Sequence, residues 1–90
     1  MKSILFYWSR GAEVRRKIVK LAAECEDRSK PCFINSIAKK IKLSHVAVKK
    51  HVDLLIEEGY LKEINPLGKP VFLTLTSSGK DAAKEFNRLH

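Results

Sequence analysis

Glutamine is absent from this 90-residue chain, and not one aspartate or glutamate occurs between Arg28 and Val52. Long apolar runs are missing as well: nothing approaches the roughly 18 uninterrupted apolar residues that a membrane span needs. The run Ile4-Leu5-Phe6-Tyr7-Trp8 is too short for the apolar region of a secretory signal with its cleavage site. These absences exclude a membrane partner and predict a soluble, intracellular chain working in the cytoplasm. Catalytic patterns are missing too. There is no Ser-His-Asp order with a supporting motif, no glycine-rich phosphate loop and no carboxylate pair placed for a pocket. A core this small also leaves little volume for a substrate. An enzyme is not expected, and no cofactor is implied.

What is present narrows the reading further. Ninety residues, 44% of them hydrophobic, predict one domain with one core over residues 1–90. Abundant lysine without glutamine points to a thermophilic source. The formal charge is +8 and is unevenly spread. Met1 to Asp27 carries six bases and four acids, and Asp53 to His90 carries five bases and six acids. Arg28 to Val52 carries seven bases (Arg28, Lys30, Lys39, Lys40, Lys42, Lys49, Lys50) and no acid. A basic field confined to one segment suits a polyanion, because neutralising phosphates releases condensed counterions. Taken alone, such a run is more often a solvated, solubilising surface.

Periodicity places the elements. Val14, Ile18, Leu21, Ala22 and Cys25 recur at helical spacing, which predicts an amphipathic helix over about Gly11–Asp27, broken at "RSKP" because Pro31 cannot continue it. A short helix follows with Ile37, Ala38 and Ile41 on one face, Asn35 or Ser36 at its start and Lys39, Lys40 and Lys42 turned away. Ser44 is an N-cap for a third helix, in which Val48, Val52 and Leu55 share one face and Gly59 marks the end. A short helix, a three-residue turn and a longer helix is helix-turn-helix spacing. Beyond it, "YLKEI" and "VFLTL" are β-prone runs around "NPLGKP", a hairpin with a six-residue loop, joined at its edge by an extended segment near Cys32 to Ile34. Thr76 caps a last helix with Ala82, Ala83, Phe86 and Leu89 as its apolar stripe.

This order of elements, clearest over "INSIAKKIKLSHVAVKKHVDLLIEEGYLKEI", resembles the winged helix-turn-helix transcription regulators of bacteria and archaea, the MarR-like and ArsR-like families in particular. Ile37-Ala38, Ile41, Leu43-Ser44, Val48, Lys50-His51, Leu55 and Gly59-Tyr60-Leu61 fall at the family's places, and in "LTLTSSGK" Leu75, Thr76 and Gly79 match the motif that closes the wing. The resemblance implies an α+β winged helix: a three-helix bundle with a β-hairpin wing and a C-terminal helix, of archaeal or archaeal-virus type. It implies sequence-specific binding of double-stranded DNA as a homodimer, in the nucleoid or, for a viral chain, in host cytoplasm.

In such a fold the start of the recognition helix enters the major groove. With Val48, Val52 and Leu55 inward, His45, Val46, Lys49, Lys50 and Asp53 face out and Ala47 lies at the boundary. Lys49 is placed to donate to guanine, and Val46 or Ala47 to meet a thymine methyl. Ser44 caps the helix or contacts phosphate. Lys50 positions on phosphate, and Lys39, Lys40 and Lys42 act as backbone clamps. Lys69, at the wing tip, is either a solvated turn residue or a cation reaching phosphate or a minor groove.

Three features stay open at this level. Cys25 and Cys32 are reduced core thiols, an intrachain or intersubunit bridge, or a redox switch. Leu5, Phe6 and Trp8 lie in an aromatic run that is either core beneath the first helix or, with Phe86 and Leu89, a two-fold dimer interface. A winged helix can also serve as a protein-protein interaction module, and Asp53, Glu57 and Glu58 at the far end of the recognition helix suit that alternative. His45 and His51, six apart, fall on different helix faces, so no metal pair is expected. No small-molecule effector is legible.

Overall fold

The computed structural model describes residues 10–30, 32–65 and 72–88, with side chains as far as Glu85. Leu5, Phe6, Trp8, Lys69 and Leu89, and the side chain of Phe86, lie outside the described residues. The elements are α1 (Arg10–Asp27), β1 (Cys32–Phe33), α2 (Ile34–Ile41), α3 (His45–Glu57), β2 (Leu61–Glu63), β3 (Phe72–Leu75) and α4 (Ser77–Arg88). The strands form one antiparallel sheet in the order β1-β3-β2, with Cys32 opposite Leu73 and Leu61 opposite Leu75. This is the α+β winged helix expected from the sequence. Among the described residues no helix is long and apolar enough to cross a membrane.

Helix α1 is the hub, packed against α2, α3, α4 and the sheet. It therefore buries a wider arc than a one-sided stripe: Ala12, Ile18, Val19 and Ala22 are buried, while Val14, Leu21 and Cys25 pack at the margin. Val19, outside the expected stripe, is completely buried in the core cluster, in keeping with a helix that has several packing partners. From α2, Ile37 and Ala38 enter the core; from α3, Val48, Val52 and Leu55. Burying each of those last three side chains is worth about 1.5–3 kcal/mol, and together they fix the rotation of α3 about its axis.

Helix α2 begins at Ile34, earlier than expected. Phe33, already extended at φ −121° and ψ 151°, occupies the N-cap position without a side-chain hydrogen bond, so Asn35 and Ser36 lie inside the first turn. The chain passes from strand to helix with no intervening loop. Three helices end in the same manner, through one residue in the left-handed region: Ser29 (φ 54°), Lys42 (φ 58°) and Gly59 (φ 85°). In each case the next amide reaches back five residues: Lys30 to Cys25 (2.8 Å), Leu43 to Ala38 (3.2 Å) and Tyr60 to Leu55 (2.8 Å). This closure satisfies carbonyls that the helix itself leaves unpaired. For α1, the stop thus falls at Ser29, ahead of Pro31.

Two joints hold the wing to the helices. The Glu26 carboxylate at the end of α1 accepts from the Thr74 hydroxyl and, at 3.0 Å, from the Leu75 amide. Among the described residues strand β1 pairs with Phe72 and Leu73, and Glu26 supplies an acceptor to the two residues of β3 that follow. The second joint is Thr76. Its Oγ1 donates to the Gly59 carbonyl (2.6 Å) and accepts from the Gly79 amide (3.0 Å), capping α4 as expected and tying it to the end of α3.

Candidate nucleic-acid interface

The acid-free segment folds into α2, the turn and the first half of α3. Lys39 and Lys40 lie in the last turn of α2, where cations interact favourably with the partial negative charge of a helix C-terminus. Lys42 follows in the turn, and Lys49 and Lys50 sit on α3. All five are exposed, as are Ser44 and His45. Val46 is 66% exposed, an unusual position for a valine on a helix so well packed on its other side. Ala47 is half-buried, at the boundary the helical spacing implies. Ser44 caps α3 by accepting from the Ala47 amide at 3.1 Å, which commits its oxygen to the helix end.

Two pairings went unread in the sequence. Lys49 Nζ donates to both carboxylate oxygens of Asp53, at 2.9 and 3.2 Å; the four-residue spacing was a usable signal for it. Arg15 Nη1 donates to His51 Nδ1 at 3.1 Å. These two residues are 36 apart in the chain, and nothing local announces the contact. His51 is half-buried where α3 packs on α1, so it belongs to the interior margin of the helix-turn-helix and stands apart from His45.

Because a guanidinium only donates, Nδ1 of His51 accepts and the neutral ring carries its proton on Nε2. Burial first, and the Arg15 charge second, hold the His51 pKa below its ordinary 6.5. Burial also lowers that of Arg15. The linkage has a definite sign. Unfolded chains take up the proton near the ordinary value and the folded chain only at lower pH, so this contribution to stability is complete above about 6.5 and is lost as pH falls toward the folded value. In an NMR titration, Arg15→Ala is expected to move the His51 midpoint upward; an unmoved midpoint would refute the contact.

Cys25 and Cys32 are free, their thiols 3.6 Å apart, so no bridge closes the loop between them in this structure. Cys32 is buried, and its thiol is pushed up to about 12 by burial, then by the hydrogen bond and charge of Cys25. A thiol held protonated to that degree is a poor nucleophile at neutral pH.

No protein-family model matches the chain, and no curated protein does either. Solved structures do. A variant of ZitR from Lactococcus lactis in its apo form is 28% identical at a TM-score of 0.72, covering 87% of this chain and 57% of its own. Wild-type ZitR in complex with DNA is 24% identical at a TM-score of 0.74, covering 93% of this chain and 56% of its own. The reduced form of MarR from E. coli is 14% identical at a TM-score of 0.71, with 83% and 54% covered. The structural neighbours of this chain are thus MarR-family winged-helix regulators, in keeping with the sequence resemblance. The chain spans little more than half the length of each.

Proposed function

We propose that this chain is a sequence-specific, double-stranded DNA-binding transcription regulator that acts as a homodimer in the cytoplasm and has no catalytic chemistry of its own. The observation that carries the proposal is the outward placement of Lys39, Lys40, Lys42, Lys49 and Lys50 around the exposed first turn of α3. A helix with a packed inner face and a basic outer face fits a major groove about 12 Å wide. That a protein of the same fold, ZitR, has been solved in complex with DNA supports the reading. Two copies would set their α3 helices roughly 34 Å apart, facing successive major grooves of a palindromic site, with the apolar residues Leu5, Phe6, Trp8, Phe86 and Leu89 offered as the interface.

Fluorescence anisotropy on DNA selected from a random pool tests this. If Lys39, Lys40, Lys42 and Lys50 each meet one phosphate while Lys49, paired with Asp53, faces a base edge, the log-log salt slope per subunit is about −3.6 and affinity falls roughly 150-fold between 50 and 200 mM salt. A flat salt dependence with no sequence preference would remove the proposal. The protein-interaction alternative has one observation in its favour, the exposed Glu57 at the far end of α3; its signature is protein capture from extract that survives nuclease.

A further inference from the structure

Resting on the DNA-binding reading above, we propose that Lys49 and Asp53 work as one unit that reads a single G·C base pair. His45, Lys49 and Asp53 are spaced four residues apart along the outward face of α3, so all three share one stripe. The Lys49 ammonium bridges both oxygens of the Asp53 carboxylate, and the side chains are 53% and 56% exposed. Asp53 is the first acid after the basic window, and it sits beside the residues that face DNA.

A carboxylate in that place is repelled by phosphates and can be satisfied only by a donor. In the major groove the base edges offer two, the amino groups of cytosine N4 and adenine N6. Lys49 has the opposite need and finds acceptors at guanine O6 and N7 or thymine O4. The spacing joins these requirements. Guanine O6 and cytosine N4 are partners in a Watson–Crick hydrogen bond, so an acceptor and a donor stand side by side at roughly 2.9 Å on the edge of one pair. Lys49 and Asp53 present a donor and an acceptor at 2.9 Å. Laid edge to edge, Lys49 donates to O6, cytosine N4 donates to Asp53, and both the salt bridge and the base pair persist. Guanine N7, next to O6, accepts a second ammonium proton, whereas a T·A pair puts a methyl group beside its O4. That difference selects G·C. Since the pair carries no net charge, it adds discrimination with little salt-dependent affinity.

The experiment uses the full chain. After selection of a binding site, affinities are measured for every single-base variant of that site with the wild type, Asp53→Ala, Lys49→Ala and the double variant, with circular dichroism confirming the fold of each. The expected wild-type result is a G·C preference of roughly 5- to 150-fold at one position per half-site. Asp53→Ala, which removes the acceptor for cytosine N4 and the carboxylate that holds Lys49 in place, is expected to bind random DNA more tightly, having lost a negative charge, while reducing the preference at that position alone. Lys49→Ala should flatten the same position, and the double variant should flatten it no further. A pair that served only as a helix-surface salt bridge would leave the base profile unmoved. An Asp53→Ala profile identical to the wild type, flattening spread over several positions, or a T·A preference at the shared position would each overturn the inference while leaving DNA binding intact. A wild type that prefers no sequence at all would overturn the DNA-binding reading and this inference with it.

Discussion

Lys49→Glu combined with Lys50→Glu is expected to lower DNA affinity by at least about a thousandfold at physiological salt while leaving the helical circular dichroism unchanged. Both side chains are exposed on α3 and neither enters the core, so the fold loses nothing it depends on. The carboxylate introduced at position 49 would face Asp53 one turn away, a like-charge pair that costs only a few tenths of a kcal/mol on a helix surface. At the interface the effect is far larger. The Lys50 phosphate contact and the Lys49 base contact disappear and two carboxylates are set against the DNA, each change costing about 2 kcal/mol or more. The salt slope of the residual binding should shrink from about −3.6 to about −2.7 per subunit, since only Lys39, Lys40 and Lys42 still release counterions. Affinity that survives with an unchanged slope would mean that the basic face does not touch DNA.

Gly79→Ala is expected to have the largest effect on stability, with a sign opposite to helix propensity. Within α4, alanine in place of glycine should gain about 1 kcal/mol. Here a Cβ would stand 2.1 Å from the Tyr60 carbonyl oxygen, 3.0 Å from Leu75 Cδ2 and 3.1 Å from the Tyr60 carbonyl carbon. The obstruction is backbone, held by the Thr76 amide that donates to the same carbonyl at 3.1 Å, so no side-chain rotation relieves it. Helix α4 must back away from the end of α3, loosening Ala82 and Ala83, both buried. Overpacking of this kind costs about 1–3 kcal/mol and sometimes more. A chain of this length has a total stability of roughly 5–13 kcal/mol. Urea unfolding should show a lower midpoint at an unchanged slope; a midpoint equal to the wild type would show that the close approach is absent.

Gly79 also illustrates what could be read from the sequence. The motif resemblance picked out Leu75, Thr76 and Gly79, and the structure supplies the reason: Thr76 ties α4 to residue 59, and Gly79 lets the helix lie on residue 60. The outward and inward faces of α3 were legible because 13 residues at about 3.6 per turn leave Val48, Val52 and Leu55 one arrangement. Periodicity served less well on α1, where several partners share one helix and Val19 is buried outside the main stripe. The start of α2 was misplaced because capping chemistry favours Asn35 or Ser36, whereas the approach of the chain from β1 made Phe33 the boundary. Contacts between distant residues were beyond reach altogether. Arg15 meets His51, and Glu26 meets Thr74 and Leu75 almost fifty residues on; such pairings depend on how the helices dock, which no local pattern records. The proximity of Cys25 and Cys32 was legible, since a tight loop joins them, while their free state was not.

Lys42 sits under two demands that pull toward different residues. Its backbone is left-handed, a conformation costing a non-glycine residue about 1 kcal/mol, and glycine would occupy it without strain. Its side chain belongs to the basic face, and glycine would surrender that charge. On the proposed DNA-binding reading, selection for folding and selection for nucleic-acid affinity therefore oppose each other at a single codon. A lineage that kept the fold but lost its interest in DNA would be free to drift to glycine or asparagine there, so the identity of residue 42 among relatives records which of the two pressures has lately prevailed.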